Sequence, residues 1–212
     1  MNEQYQQIVT NAYGEIITPI DTSKPYAVSF QGSQKPFEFF SAWEVIDEQL
    51  KDIKEPTFLE VGAFKGLWAI AFFEWCKLEG KKGSYYAVSW MEHNPENKDL
   101  LKVLNHYKSQ GFTCELVDKN SQLDSTQEYL TSTYLNKYSM VLIDADHRYN
   151  GVFKDITLYS KLASKLLMFH DIKPEGTSDI CGVYRAIVDS NILFDYEISC
   201  ASDQMGIGIK IV

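Results

Sequence analysis

Apolar and polar positions alternate along this chain with two periods, and the switches between them mark out its elements. In "PFEFFSAWEVIDEQLKDI" the residues Phe39, Phe40, Trp43, Ile46, Leu50 and Ile53 recur every three or four positions, with acids and lysines between them. That spacing builds one buried face of a helix. Pro56 lies beyond its end, and "TFLEVG" reads as a short buried strand. The rhythm then repeats. "LWAIAFFEWCKLEG" reads as a largely apolar helix closed by Gly80, "SYYAVSW" as a strand, and "PENKDLLKVLNHYKSQG" as an amphipathic helix between Pro95 and Gly111. The strands "FTCELVD", "YSMVLID" and "KLLMFHD" follow, separated by the helices "SQLDSTQEYLTSTYLN" and "YNGVFKDITLYSKLA". A last helix, "SDICGVYRAIVDS", leads into "ILFDYEIS" and "MGIGIKIV", two strands joined by the polar link "CASDQ".

Five strands separated by helices of about ten or more residues imply a parallel sheet with helices on both faces. The final pair leaves no room for a crossover helix and must form an antiparallel hairpin. The expected fold is α/β, a doubly wound, mostly parallel seven-stranded sheet that ends in that hairpin. Residues 1–35 are polar, with the β-prone pieces "GEIITPI" and "PYAVSF" set apart by Pro and Gly. They are expected to form an N-terminal extension that packs on the 36–212 domain or on a second subunit, which leaves a homo-oligomer open.

Composition narrows the partners. The 212 residues suffice for one well-filled core. Lys and Arg number 20 against 29 Asp and Glu, a net charge of −9 with no basic run. A phosphate backbone is held by basic side chains that release its counterions, so no nucleic-acid partner is expected. No apolar run approaches the roughly 20 residues that span a bilayer. The opening "MNEQYQQIVTNAYG" has neither the basic start nor the apolar centre of a signal peptide. No membrane association is expected, and the expected location is cytoplasmic. Cys76, Cys114, Cys181 and Cys200 form no C-x-x-C pair and read as buried free thiols.

The strand ends read "LEVG", "VSW", "LVDKNS", "LIDADH" and "FHD", so polar and acidic residues gather at one edge of the sheet. Open α/β sheets bind ligands outside the carboxyl ends of their strands. The first turn, "FLEVGAFKGLWA", has Phe64 where a dinucleotide fingerprint needs its middle glycine, which speaks against a nicotinamide oxidoreductase. It is not a P-loop either, and "GKKGS" at 80–84 precedes a strand and reads as a turn. What remains is E-x-G-x-x-x-G, an acid followed by two glycines that let backbone approach a ligand.

That pattern resembles motif I of the class I S-adenosylmethionine-dependent methyltransferases. The stretch "LIDADHRYNGVFKDITLYSKLASKLLMFHDI" is similar to "IDGDHSYEGV…D…L…GG…FHDI" of the group near the macrocin-type O-methyltransferases and the cephalosporin-cluster methyltransferases. "MGIGIKIV" resembles the closing strand of that group, so the likeness runs over residues 36–212. It implies a Rossmann-like methyltransferase fold and an enzyme that moves the methyl group of S-adenosylmethionine to an oxygen of a small-molecule or sugar acceptor. It places Glu60, Gly62, Ala63 and Gly66 at the methionine end of the cofactor and Asp118 to Ser121 near the adenine. The acid that usually holds the ribose is missing, with Ser89 in its place and Glu92 three residues later. Asp144 and Asp171 take positions that hold a divalent ion in relatives, and His170 stands where an acid often precedes the second. Mg or Mn at Asp144, His170 and Asp171 is one implication; the other is that His170 and Asp171 only shape the pocket. His147 takes the position of a general base.

The remaining aromatic and histidine residues divide simply. Trp43, Trp68, Trp75, Phe39 and Phe40 are expected in the core, His93 and His106 at the surface, and Trp90 at the binding edge. Tyr149 and Asp155 follow the pattern of the group and also suit helix start and packing. A cofactor-binding or structural protein with weakened catalysis on the same fold is the competing reading, and Ser89 is its sign.

Overall fold

The computed structural model describes residues 3–17, 36–92, 98–173, 182–199 and 205–212. Its first element is helix α1 (Glu3–Ile16), followed by α2 (Pro36–Leu50). Strands and helices then alternate: β1 (Thr57–Val61), α3 (Leu67–Leu78), β2 (Ser84–Val88), α4 (Lys98–Ser109), β3 (Thr113–Val117), α5 (Asp124–Thr133), β4 (Tyr138–Ile143) and α6 (Tyr149–Tyr159). A short 3₁₀ turn leads into β5 (Ala163–His170), and α7 (Val183–Asp189), β6 (Tyr196–Ile198) and β7 (Ile207–Ile211) complete the chain. The seven strands form one sheet in the order β3-β2-β1-β4-β5-β7-β6. The first five run parallel, and β7 lies antiparallel between β5 and β6.

Side-chain alternation along the strands divides the core into two layers. Phe58, Tyr85, Met140, Leu166 and Ile209 face α1 to α4 on one side of the sheet. Leu59, Val88, Val141, Leu167 and Phe169 face α6 and α7 on the other, with Leu130 of α5. The first layer is aromatic. Phe39 packs 4.7 Å from Trp68 and Trp43 5.9 Å from the same ring, and Phe58 meets Tyr85 edge-on at 5.2 Å. Trp43, Trp68 and Trp75 are buried, as expected of the helical spacing. Cys76 and Cys114 are buried free thiols, whereas Cys181 and Cys200 lie outside the described residues.

The end of α2 is closed by a distant lysine. The Lys81 ammonium donates to the carbonyls of Leu50 (3.2 Å), Lys51 (2.6 Å) and Ile53 (3.0 Å), and it lies 5.0 Å from the Trp75 ring. Terminal helix carbonyls need such partners, and a cation there also favours the helix dipole.

The N-terminal segment departs from its β-prone reading. Tyr5, Val9 and Tyr13 recur every fourth position and are buried on α1, which packs on α3 and α4. The Tyr5 hydroxyl donates to the Ala71 carbonyl at 2.7 Å. "GEIITPI" therefore begins inside a helix, because packing against apolar α3 outweighs the strand preference of its isoleucines. "PYAVSF" lies outside the described residues.

Candidate active site

The carboxyl ends of β1 to β4 form a stitched rim. Gly62 and Ala63 donate to the Val88 carbonyl (2.9 and 3.2 Å), Ser89 donates to Val117 (3.2 Å), and Asp144 donates to Val61 (2.8 Å). Gly62 has φ 99°, and a Cβ there would overlap the backbone of Asp144 and Ala145. Only glycine lets the first bend pass so close to the end of β4. Gly66 is also left-handed (φ 87°), and it precedes α3 and packs against Val103 and Leu100 of α4.

Against this rim lies a cavity of about 500 Å³, a size suited to a nucleoside-bearing ligand. Its walls come from four loops: Gly62 and Ala63 after β1, Ser89 and Trp90 after β2, Lys119 to Gln122 after β3, and Ala145 to Arg148 after β4. Ser89 and Ser121 are buried, while the Trp90 ring is 37% exposed at the wall. The β4 loop is fixed by Asp146, whose carboxylate accepts Gln122 Nε2 (2.8 Å), Arg148 N (2.9 Å) and Arg148 Nη2 (2.7 Å). Those Arg148 bonds hold Asp146 down at about 2. Behind Ser121, the Tyr159 hydroxyl donates to its carbonyl at 2.7 Å.

Of the residues expected near the cofactor, Gly62, Ala63, Ser89 and Ser121 line this cavity. Glu60, Gly66, Glu92 and Asp118 lie outside its lining. Glu92 is exposed. Asp118 is turned to the β2 loop, where it accepts the Met91 N–H at 2.9 Å. Trp90 is at the binding edge as expected, and His106 is exposed. His93 lies outside the described residues. Gln122 and the clamp that Asp146 makes with Arg148 were not anticipated as wall-builders; only the fold brings Gln122 to Asp146.

Beside the cavity, four ionisable groups converge. His147 Nε2 lies 3.4 Å from Asp144 Oδ1 and 3.1 Å from Asp171 Oδ2. His170 Nδ1 lies 3.5 Å from Asp144 Oδ1 and 3.3 Å from Asp171 Oδ1. Asp144 and His170 are level on neighbouring strands, as the register of Ile143 with Phe169 requires. Asp171 has φ 58°. Successive residues of a straight strand face opposite ways, and this left-handed turn brings Asp171 to the side His170 already faces. His147 belongs to both regions, since it also lines the cavity.

The charges of this cluster support one another. Burial alone would raise Asp144, but His170 and the bonds from both imidazoles outweigh it and hold it at about 2. The bond to Asp144 raises His147 above the usual imidazole range. Burial opposes the charging of His170, yet Asp144 and Asp171 prevail and raise it well above that range. Donor atoms of Asp144, His147 and Asp171 lie within 4.8 Å of one another, a spacing a cation can bridge. His170 Nε2 is buried with no hydrogen-bond partner among the described residues.

A sheet of this order with a nucleoside-sized cavity at the ends of β1 to β4 defines a class I, Rossmann-like methyltransferase fold. The family model described as "Methyltransferase domain" matches residues 59–172, more than half of the chain, and the chain belongs to that family. The family is one of methyltransferase domains. The chain is similar in structure to the O-methyltransferase NovP, with a TM-score of 0.61 and 10% identity over 98% of each chain. It also resembles CalS11, a TDP-rhamnose 3'-O-methyltransferase of calicheamicin biosynthesis, with a TM-score of 0.59, 13% identity and coverage of 97% and 92%. TomG from Streptomyces achromogenes, an O-methyltransferase solved with S-adenosylmethionine, aligns with a TM-score of 0.55 and 14% identity over 100% and 91%. At these identities the likeness is one of fold. No curated protein matches the chain in sequence, and among the described residues no helix is long and apolar enough to cross a membrane.

Proposed function

We propose that this enzyme methylates a hydroxyl oxygen of a small-molecule or sugar acceptor, with His147 as the proton acceptor. The observation that carries the reading is the place of His147, which borders the cofactor cavity and bonds Asp144 and Asp171. The cofactor supplies an electrophilic methyl carbon and a sulfide leaving group. The protein then has two tasks, in-line alignment and removal of the hydroxyl proton. The alignment falls to the Gly62–Ala63 bend and the walls at Ser89, Trp90 and Ser121. With its Nε2–H directed at Asp144 and Asp171, the imidazole of His147 is held at the cavity mouth, and its other nitrogen, Nδ1, is the one left to take the proton as the oxygen–methyl bond forms.

Asp144 and Asp171, with His170 as third donor, suit a divalent cation such as Mg or Mn. When bound, such an ion would lower the pKa of an acceptor hydroxyl. His170 is 4% exposed and cannot reach an acceptor, which suits it to the ligand role, while the His147 side chain is 43% exposed and free to meet one. Titrating the wild type, His147→Ala and His170→Ala with S-adenosylhomocysteine and Mn²⁺ tests the division. S-adenosylhomocysteine affinity should survive in all three, and Mn²⁺ affinity should fall mainly in His170→Ala. Methyl transfer to a panel of phenols and sugar hydroxyls should fall about 100-fold or more in His147→Ala. Unchanged transfer in that variant removes His147 from the role.

A further inference from the structure

His147 is held through its backbone as well as through its ring. It lies one residue before Arg148, the N-cap of α6, whose carbonyl accepts the Val152 N–H at 3.0 Å and so opens the helix. The His147 carbonyl therefore has no donor inside the helix. Its donor is the N–H of Gly182, the residue that precedes α7. A Cβ on Gly182 would overlap the backbone N and Cα of Tyr149. Gly182 has φ −98°, which any residue can adopt, so close approach alone demands glycine here.

Helix α7 carries this contact on a fixed base. Its residues Val183, Ala186 and Ile187 are buried in one layer with Val152 and Ile156 of α6. On its outer side α7 grips Tyr149, whose hydroxyl donates to Asp189 Oδ2 at 2.8 Å and whose ring lies 5.2 Å from the Arg185 guanidinium. Elsewhere the turn is fixed at Asp144, which donates to the Val61 carbonyl, and at Asp146, which accepts Gln122 and Arg148. Glu60 gives it no support: burial raises that acid to about 8, and it accepts the Tyr85 hydroxyl on the α3 face of the sheet. Both ends of the β5–α7 connection thus reach His147, Asp171 at its imidazole and Gly182 at its carbonyl.

Resting on the reading of His147 as proton acceptor, we propose that Gly182 is a positioning residue which, with the grip of Arg185 and Asp189 on Tyr149, aims the His147 imidazole at the acceptor. A ring held at one edge can still swing with its main chain. Asp144 and Asp171 hold the Nε2 edge, and Gly182 holds the main chain from which the ring hangs. With both fixed, Nδ1 keeps a constant place at the cavity wall. A misplacement of about 1 Å can cost about 100-fold in rate. No residue of α7 lines the cavity, and neither does Gly182. Their influence on transfer therefore passes through His147 and not through contact with cofactor or acceptor.

Gly182→Ala should keep S-adenosylhomocysteine affinity within about twofold while kcat on the panel of phenols and sugar hydroxyls falls about 10- to 100-fold at little-changed KM. In a His147→Ala background the same substitution should have no further effect, because the group it acts through is gone. Tyr149→Phe, which removes one exposed hydroxyl bond, should fold normally and lower kcat about threefold by the same route. Heteronuclear NMR of the imidazole rings gives a readout that needs no acceptor. The His147 signals, identified by their loss in His147→Ala, should move in Gly182→Ala while those of His106 stay. Unmoved His147 signals, or an equal loss of kcat with and without His147, overturn the proposal and leave His147 as the base. Wild-type transfer in His147→Ala ends the base role and this proposal with it. Should Gly182→Ala not fold, Tyr149→Phe carries the test, and unmoved His147 signals there are the overturning result.

Discussion

Replacing Asp155 by asparagine should make the protein about 4 kcal/mol more stable at pH 8 but only about 1–2 kcal/mol more stable at pH 5. Asp155 sits on α6 at 0% exposure, and neither carboxylate oxygen has a hydrogen bond of normal length. Burial raises it from an ordinary 3.8 to about 7; Ser121 pulls the other way, and Asp146 adds to the rise. The sign follows from linkage. Below about pH 4 the acid is neutral in both states and its contribution to stability is fully present. As pH rises toward 7, the unfolded chain gives up this proton while the folded protein retains it, so stability falls. One pH unit over that interval is worth about 1.4 kcal/mol, which makes the whole loss on the order of 4 kcal/mol. Roughly 3 kcal/mol of it falls between pH 5 and pH 8, or about 6–12 °C in Tm for a chain of this size. Asparagine keeps the shape and removes the titration. Urea unfolding of both proteins at the two pH values gives the difference directly, and subtracting the variant cancels the similar slope expected from Glu60. A stability difference between variant and wild type that does not change with pH would refute the reasoning.

Three further outcomes follow from named contacts. Gly62→Ala should lose measurable S-adenosylhomocysteine affinity in calorimetry, because the new methyl overlaps the Asp144 and Ala145 backbone and the position has φ 99°. Lys81→Met should cost about 2–4 kcal/mol in urea unfolding, since it strands carbonyls of the α2 end that Lys81 now satisfies. Asp171→Asn should keep the fold, because asparagine tolerates the left-handed backbone, while Mn²⁺ affinity drops at least tenfold by calorimetry.

The strands and most helices were legible because burial on both faces writes a continuous apolar run for β1, β2 and β4, and helices bury one stripe. Helix α1 was not. Its buried residues are Tyr5, Val9 and Tyr13, separated by polar and β-branched neighbours, and the apolar surface they seek lies more than fifty residues away on α3. The cluster at Asp144, His147, His170 and Asp171 was legible because each residue ends or closely follows β4 or β5, and parallel strands deliver their ends to one edge. The partner of Glu60 was hidden: in "SYYAVSW" either tyrosine could face it, and only the register of β2 on β1 selects Tyr85. Glu60 and Gly66 lie outside the cavity lining because the motif identifies a bend, not which side of the sheet each member faces.

The left-handed turn at Asp171 narrows what evolution or an engineer can do there. Few residue types tolerate that backbone, chiefly glycine, asparagine and aspartate, and only aspartate carries charge. Glutamate, the obvious carboxylate substitute, would have to unbend the chain and carry its oxygens away from His147 and His170. The position therefore works as an on–off element: the residues its backbone admits either complete the cluster or leave it electrically silent, with no graded intermediate.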